Sequence, residues 1–134
     1  MANAAYNSMR VAAAGSGLGW TSNTFHGYLV DVAYVFDATH DFLDDVGGAT
    51  RVAGPIAFAG KAVTSEGAVD ADDRVFVAVS GADVEALVIV QDSGVEATSP
   101  LRAYIDSGTG LPIVPNGGDI QVTFDSGTNR IFKL

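Results

Sequence analysis

Two histidines, a tight acidic cluster, a glycine-rich loop and a pair of adjacent carboxylates are the residues from which this chain could assemble reactive chemistry. His26 and His40 are its only imidazoles. Ser and Asp are plentiful enough to complete a Ser–His–Asp array with either one, but no Gly-x-Ser-x-Gly elbow presents a nucleophilic serine. Asp70, Asp72 and Asp73 are the kind of clustered carboxylates that Ca²⁺ prefers. An EF-hand loop counted from Asp70 needs Gly at its sixth position and Glu at its twelfth, where this chain has Val75 and Gly81. A solvated acidic turn is the simpler reading, with a Ca²⁺ site of another type as the alternative.

Gly15-Ser16-Gly17-Leu18-Gly19 has the glycine density of a phosphate loop. A dinucleotide fingerprint also needs a strand before it, a helix after it and a small residue at the sixth position, which here is Trp20. The segment reads as a hinge. Asp44 and Asp45 would suit acid–base work on a glycoside, but adjacent helix positions do not face one another. Trp20, Tyr28, Tyr34, Phe36, Tyr104 and Phe124 could form a stacking platform for sugars. Most of them fall on inward positions of expected strands, so core packing is the expectation. The chain has no cysteine, which removes disulfides, thiol nucleophiles and Cys-type zinc sites. No enzyme activity, no cofactor and no bound metal are expected.

The elements that must position these residues are mostly strands. From His26 the pattern alternates: His26, Tyr28, Val30, Val32, Tyr34 and Phe36 on one face, Gly27, Leu29, Asp31, Ala33, Val35 and Asp37 on the other. Ahead of it, the alanine-rich stretch Met1–Ala14 predicts a short helix that Gly15, Gly17 and Gly19 stop. Thr39 as N-cap, Phe42, Leu43 and Val46 at helical spacing and the Gly47-Gly48 stop predict a second short helix near 39–46. Arg51–Ala53 reads as a strand closed by Gly54-Pro55, and Ile56–Thr64 as the next. The acidic cluster breaks the chain before Val75, Val77 and Val79. Glu85–Val90 is apolar on both faces, which suits a central strand, and Leu101–Ile105 is another. At the end, Ile120, Val122 and Phe124 predict an inward face. Asp125–Asn129 predicts a turn, and Arg130–Leu134 a returning strand with Phe132 and Leu134 packed inward.

Short strands at this spacing, without βαβ alternation, predict a mainly β fold. The expected form is an antiparallel β-sandwich or partly closed barrel with the two short helices. Its 134 residues fit an N-terminal helix or arm over 1–19 and a single β domain over 20–134. Sixteen acidic residues against seven basic give a net charge of −9, which argues against nucleic acid and against an anionic membrane surface. Apolar runs reach only five residues, as in Val75–Val79 and Ala86–Val90, against the roughly 20 that a membrane helix needs. Val11–Ala14 is too short for the apolar core of a secretory leader. Charged residues make up 17% of the chain, below the usual share of about 25%, so part of the surface is expected to be covered in use.

The run Glu85–Gly94, followed by Ala97–Asp106, resembles a family of small virion proteins of tailed bacteriophages and prophages. Gly110–Ile120 and the ending Asn129–Leu134 are similar to the same family. So are Met1-Ala2-Asn3 with Tyr6, Leu29-Val30-Asp31, Thr39-His40-Asp41 and Asp70-Ala71-Asp72-Asp73; Val11–Gly19 matches least. The resemblance implies a non-enzymatic structural component, made in the host bacterial cytoplasm and placed on the capsid surface. Size, acidity and a compact β fold suit a decoration (cement) protein. It would bind the major capsid protein and, in the same reading, copies of itself in a symmetric oligomer such as a trimer. A tail or head–tail component is the alternative, and a host-surface glycan- or Ca²⁺-binding module is a third reading. Strand interiors belong to the core, so partner contacts are expected from the loops Gln91–Pro100 and Ser107–Asp119 and from the N-terminal segment. Leu111, Ile113, Val114, Val95 and Met9 are the contact candidates.

Overall fold

The computed structural model describes residues 4–15, 17–106, 112–123 and 132–133. The apolar run before Gln91 becomes β7 (Ala86–Gln91), buried from Ala86 to Val90. It lies between β2 (Phe25–Val30) and β8 (Leu101–Ile105) in a five-stranded antiparallel sheet. The edges are β1 (Ala4–Ala5), which pairs with β8, and β3 (Arg51–Ala57), which pairs with β2. Phe25 stands opposite Gln91 and Val30 opposite Ala86, while Val88 stands opposite Tyr104. A strand covered on both sides must be apolar where it is covered, and β7 is from Ala86 to Val90.

One face of this sheet presents Phe25, Leu29, Leu87, Ile89 and Ala103. Against it pack Val69 of β5 (Ala68–Asp70), Phe76 of β6 (Arg74–Phe76) and Ile120 of β9 (Ile120–Val122), with Trp20 and Phe58. These belong to two small antiparallel sheets. One is β6 with β9; the other is β5 between β4 (Ala62–Val63) and β10 (Phe132–Lys133). The result is a sandwich whose sheets do not close into a barrel. Met9 and Ala12 of α1 (Asn7–Ala14) join this core. The opposite face presents Tyr28, Val30, Val88, Val90, Leu101 and Tyr104. Its cover is a folded loop that supplies Tyr34, Leu43 and Val46, together with Tyr6.

Several local expectations are corrected. Met1–Ala14 does not form one helix: Ala4 and Ala5 pair with Tyr104 and Ala103, and the helix begins at Asn7. The free edge of β8 takes the chain into the sheet, and ladder bonds outweigh alanine's helix propensity. The alternation from His26 stops being a strand at Val30. Asp31 turns the chain there: its carboxylate accepts from Ala33 N at 2.9 Å and its carbonyl from Tyr34 N at 3.3 Å. Thr39 does not cap a helix, because its amide and hydroxyl both donate to Asp37 Oδ1, at 2.8 and 2.6 Å. The helix near 39–46 shrinks to a 3-10 turn over Leu43–Asp45.

Gly54-Pro55 does not close a strand either; β3 runs through it. Leu29 stands opposite Ala53 and Gly27 opposite Ile56, so Gly54 and Pro55 bulge out across from Tyr28. Gly54 has φ +117°, and a Cβ there would lie 2.7 Å from Gly27 O. Proline is tolerated because β3 is an edge strand. At the chain's end, β9 pairs with β6 and β10 with β5, rather than with each other. Phe124, the turn 125–129 and Leu134 lie outside the described residues.

Candidate interaction surface

The residues that could carry chemistry are placed apart or used structurally. His26 lies on β2 with Nδ1 4.0 Å from Asp92 Oδ1. His40 sits in the covering loop, its Nδ1 3.0 Å from the Tyr34 hydroxyl. That hydroxyl is 2.7 Å from the hydroxyl of the fully buried Tyr6. Burial pushes Tyr34 up to about 12, and raises Tyr6 further. Asp70 Oδ1 accepts from Ala71 N, and its carbonyl accepts from Trp20 Nε1 at 2.9 Å. Among the described residues, no group of three or more His, Asp or Glu side chains is placed to hold a metal. Asp45 turns back on its own 3-10 turn and accepts from Asp41 N at 2.9 Å. Those backbone bonds hold its carboxyl below the usual range. Gly15–Gly19 is followed by a turn, in which Ser22 N and Asn23 N donate to Gly19 O, and then by β2. Trp20, Tyr28, Tyr34 and Tyr104 are core residues, and Phe36 packs beside them half-buried.

Two arginines that the residue pattern did not single out tie neighbouring elements together. Arg51, at the start of β3, donates through Nε and Nη2 to Val46 O at 2.9 and 2.7 Å, and through Nη2 to Leu43 O at 3.0 Å. Its Nη1 reaches Glu96 Oε1 at 2.8 Å, and its guanidinium lies 5.3 Å from the Tyr28 ring centroid. The Arg51 partnership holds the Glu96 carboxyl below its ordinary value. Arg102 is buried, and among the described residues it has no carboxylate partner. It donates to Gln91 Oε1 at 2.7 and 3.0 Å and to Ser8 O at 2.7 Å, tying α1 to β8. Desolvation lowers its proton affinity. The only hint in the sequence was a cation inside an otherwise apolar run.

The contact candidates separate clearly. Val114 is 73% exposed and Val95 58%. Ile113 is half-buried: it exchanges backbone bonds of 2.8 and 2.9 Å with Val84 and packs against the main core. Met9 is 1% exposed and offers no side chain to a partner. Leu111 lies outside the described residues.

The structure adds two residues expected inside a strand: Val32 and Val35, which are 75% and 72% exposed. They follow the Asp31 turn at the same end of the main sheet as Val114. There Glu85 N donates to Val30 O at 2.8 Å, and Val84 next to it carries the bridge to Ile113. The three segments therefore lie side by side at strand spacings of about 5 Å. Asp31, Asp83 and Glu85 stand on the same segments, so this apolar end has an acidic rim. Elsewhere, Ala53–Ile56 of β3 and Val75–Val77 line an open groove of about 300 Å³.

No family model and no curated protein matches the chain. What the arrangement offers chemically is apolar surface with acidic surroundings, suited to contact with another macromolecule.

Proposed function

We propose that this chain is a structural protein of a tailed-phage particle, and that it decorates the outside of the head by binding the major capsid protein. The observation that carries the docking role is the valine-bearing end of the main sheet. Val32, Val35 and Val114 are 72–75% exposed there, although both faces of that sheet are already covered. Fully burying one such side chain against a partner is worth about 1.5–3 kcal/mol. Symmetric repetition over a shell multiplies weak contacts into firm attachment. The particle assignment is supported by the resemblance of Glu85–Gly94, Ala97–Asp106 and Gly110–Ile120 to small virion proteins. A net charge of −9 suits a position away from packaged DNA. Trp20, Tyr28, Tyr34 and Tyr104 are spent on the core, which favours docking over sugar capture.

The test is the position and copy number of the protein in intact particles by electron cryo-microscopy. A ratio near one to the major capsid protein, on the outer surface, is the expected result. A count in small multiples of three or six at the neck or tail would replace decoration with the tail or head–tail reading. A Val32→Ser, Val114→Ser double variant should fold normally and fail to incorporate. Normal incorporation would move the interface away from this end.

A further inference from the structure

Asn116 and Gly117 are exposed in the loop that carries Val114. Asparagine followed by glycine is the pairing in which a backbone nitrogen most easily reaches the preceding side-chain carbonyl, because glycine has no Cβ to obstruct the approach. In this chain three hydrogen bonds clasp the loop to the segment that follows β6, and a fourth closes within the loop. Gly117 N donates to Val79 O at 2.8 Å, and Val79 N donates to Gly118 O at 2.9 Å. Ala78 N donates to Asp119 Oδ1 at 2.9 Å, and Gly118 N donates to Asn116 Oδ1 at 2.9 Å. Ala78 has φ +52°, the one non-glycine residue at positive φ among the described residues. Such a conformation persists only where its surroundings hold it, so the clasp works against local strain.

We infer that Asn116 is a deamidation site whose reaction is gated by opening of this clasp. In the reaction Gly117 N gives its proton to hydroxide, and the nitrogen lone pair attacks Asn116 Cγ. The Cγ–Nδ2 bond breaks, ammonia leaves, and a five-membered succinimide closes. Water then adds at either ring carbonyl and leaves aspartate or isoaspartate at position 116. No electrons are transferred: one water is consumed and one ammonia released. In the closed clasp the Gly117 N–H is committed to Val79 and the Asn116 carbonyl oxygen to Gly118. Attack therefore waits for local opening, and its rate scales with the open fraction. Either product adds a negative charge next to the acidic rim. Isoaspartate also lengthens the backbone by one atom and breaks the register with Val79.

The experiment follows aspartate and isoaspartate at position 116 in the full chain, by peptide mapping and mass spectrometry, at mildly alkaline pH with and without urea. The folded chain should react at least about tenfold more slowly than the unfolded one. Asp119→Ala, which removes the tie to Ala78, should speed the reaction in buffer and leave the rate in urea unchanged. Equal rates in buffer and urea for the unaltered chain would overturn the gate, and that comparison needs no variant. Failure to react in urea would overturn the site itself.

Discussion

Gly54→Ala and Gly81→Ala form a matched pair that tests the bulge in β3. Both glycines have nearly the same φ, +117° and +118°, so alanine meets the same backbone penalty at each. That penalty is about 1–3 kcal/mol. The surroundings differ. A Cβ at Gly81 meets nothing within 4 Å. At Gly54 it would lie 2.7 Å from Gly27 O and 3.0 Å from Tyr28 Cα. Those atoms are backbone, and β2 cannot retreat without losing its pairing to β7. The clash should add an overpacking cost of about 1–3 kcal/mol. Gly54→Ala should therefore cost roughly twice what Gly81→Ala costs, a large share of a total stability that is typically about 5–15 kcal/mol. Urea unfolding followed by circular dichroism reads this directly. With a slope near 2 kcal/mol/M, an extra 2 kcal/mol moves the midpoint by about 1 M. Equal midpoints for the two variants would refute the steric account and with it the described approach of β3 to β2.

Arg51→Met should cost about 2–4 kcal/mol, because it strips the donors from the carbonyls of the buried Leu43 and Val46. Glu96→Gln, which leaves those carbonyl bonds intact, should cost much less; similar losses for the two would show that the ion pair is the main anchor. Stability should also fall as pH drops below the ordinary Glu value of 4.5. The folded chain holds Glu96 and Asp45 below their unfolded values, so the unfolded chain takes up protons first. On the alkaline side the sign reverses. Tyr34 is raised from 10.0 to about 12, so its contribution is complete below pH 10 and lost as pH rises toward 12. A denaturation midpoint that stays flat through both windows would contradict these assignments.

The strands legible in the sequence were those whose signal is local. β7 announces itself because its side chains from Ala86 to Val90 are all apolar, and Leu101–Ile105 does so nearly as well, Arg102 notwithstanding. What the pattern could not reveal was decided by distant partners. Ala4 and Ala5 look helical until the open edge of β8 is known. Val32 and Val35 continue a flawless alternation, and only the Asp31 turn takes them out of the sheet and into solvent. That turn moved two of the most exposed valines from opposite faces of the expected strand to the candidate surface. Met9 moved the other way: a large apolar residue in a small-residue helix reads as available until α1 is laid against the main core. Tyr34 kept its inward role after leaving the strand, because the loop folds back over the same face.

The pairing of Ala4 with Tyr104 also bears on how the chain is made. Of the strands in this sheet, β1 is made earliest and pairs with the one made last, so it waits longest for its partner. β2 and β7 are likewise widely separated, and they form the middle of the sheet. The main sheet cannot be completed before Leu101–Ile105 has been made. Folding should be slow for a chain of this size because its contacts are non-local, and exposed meanwhile to aggregation through the β7 segment.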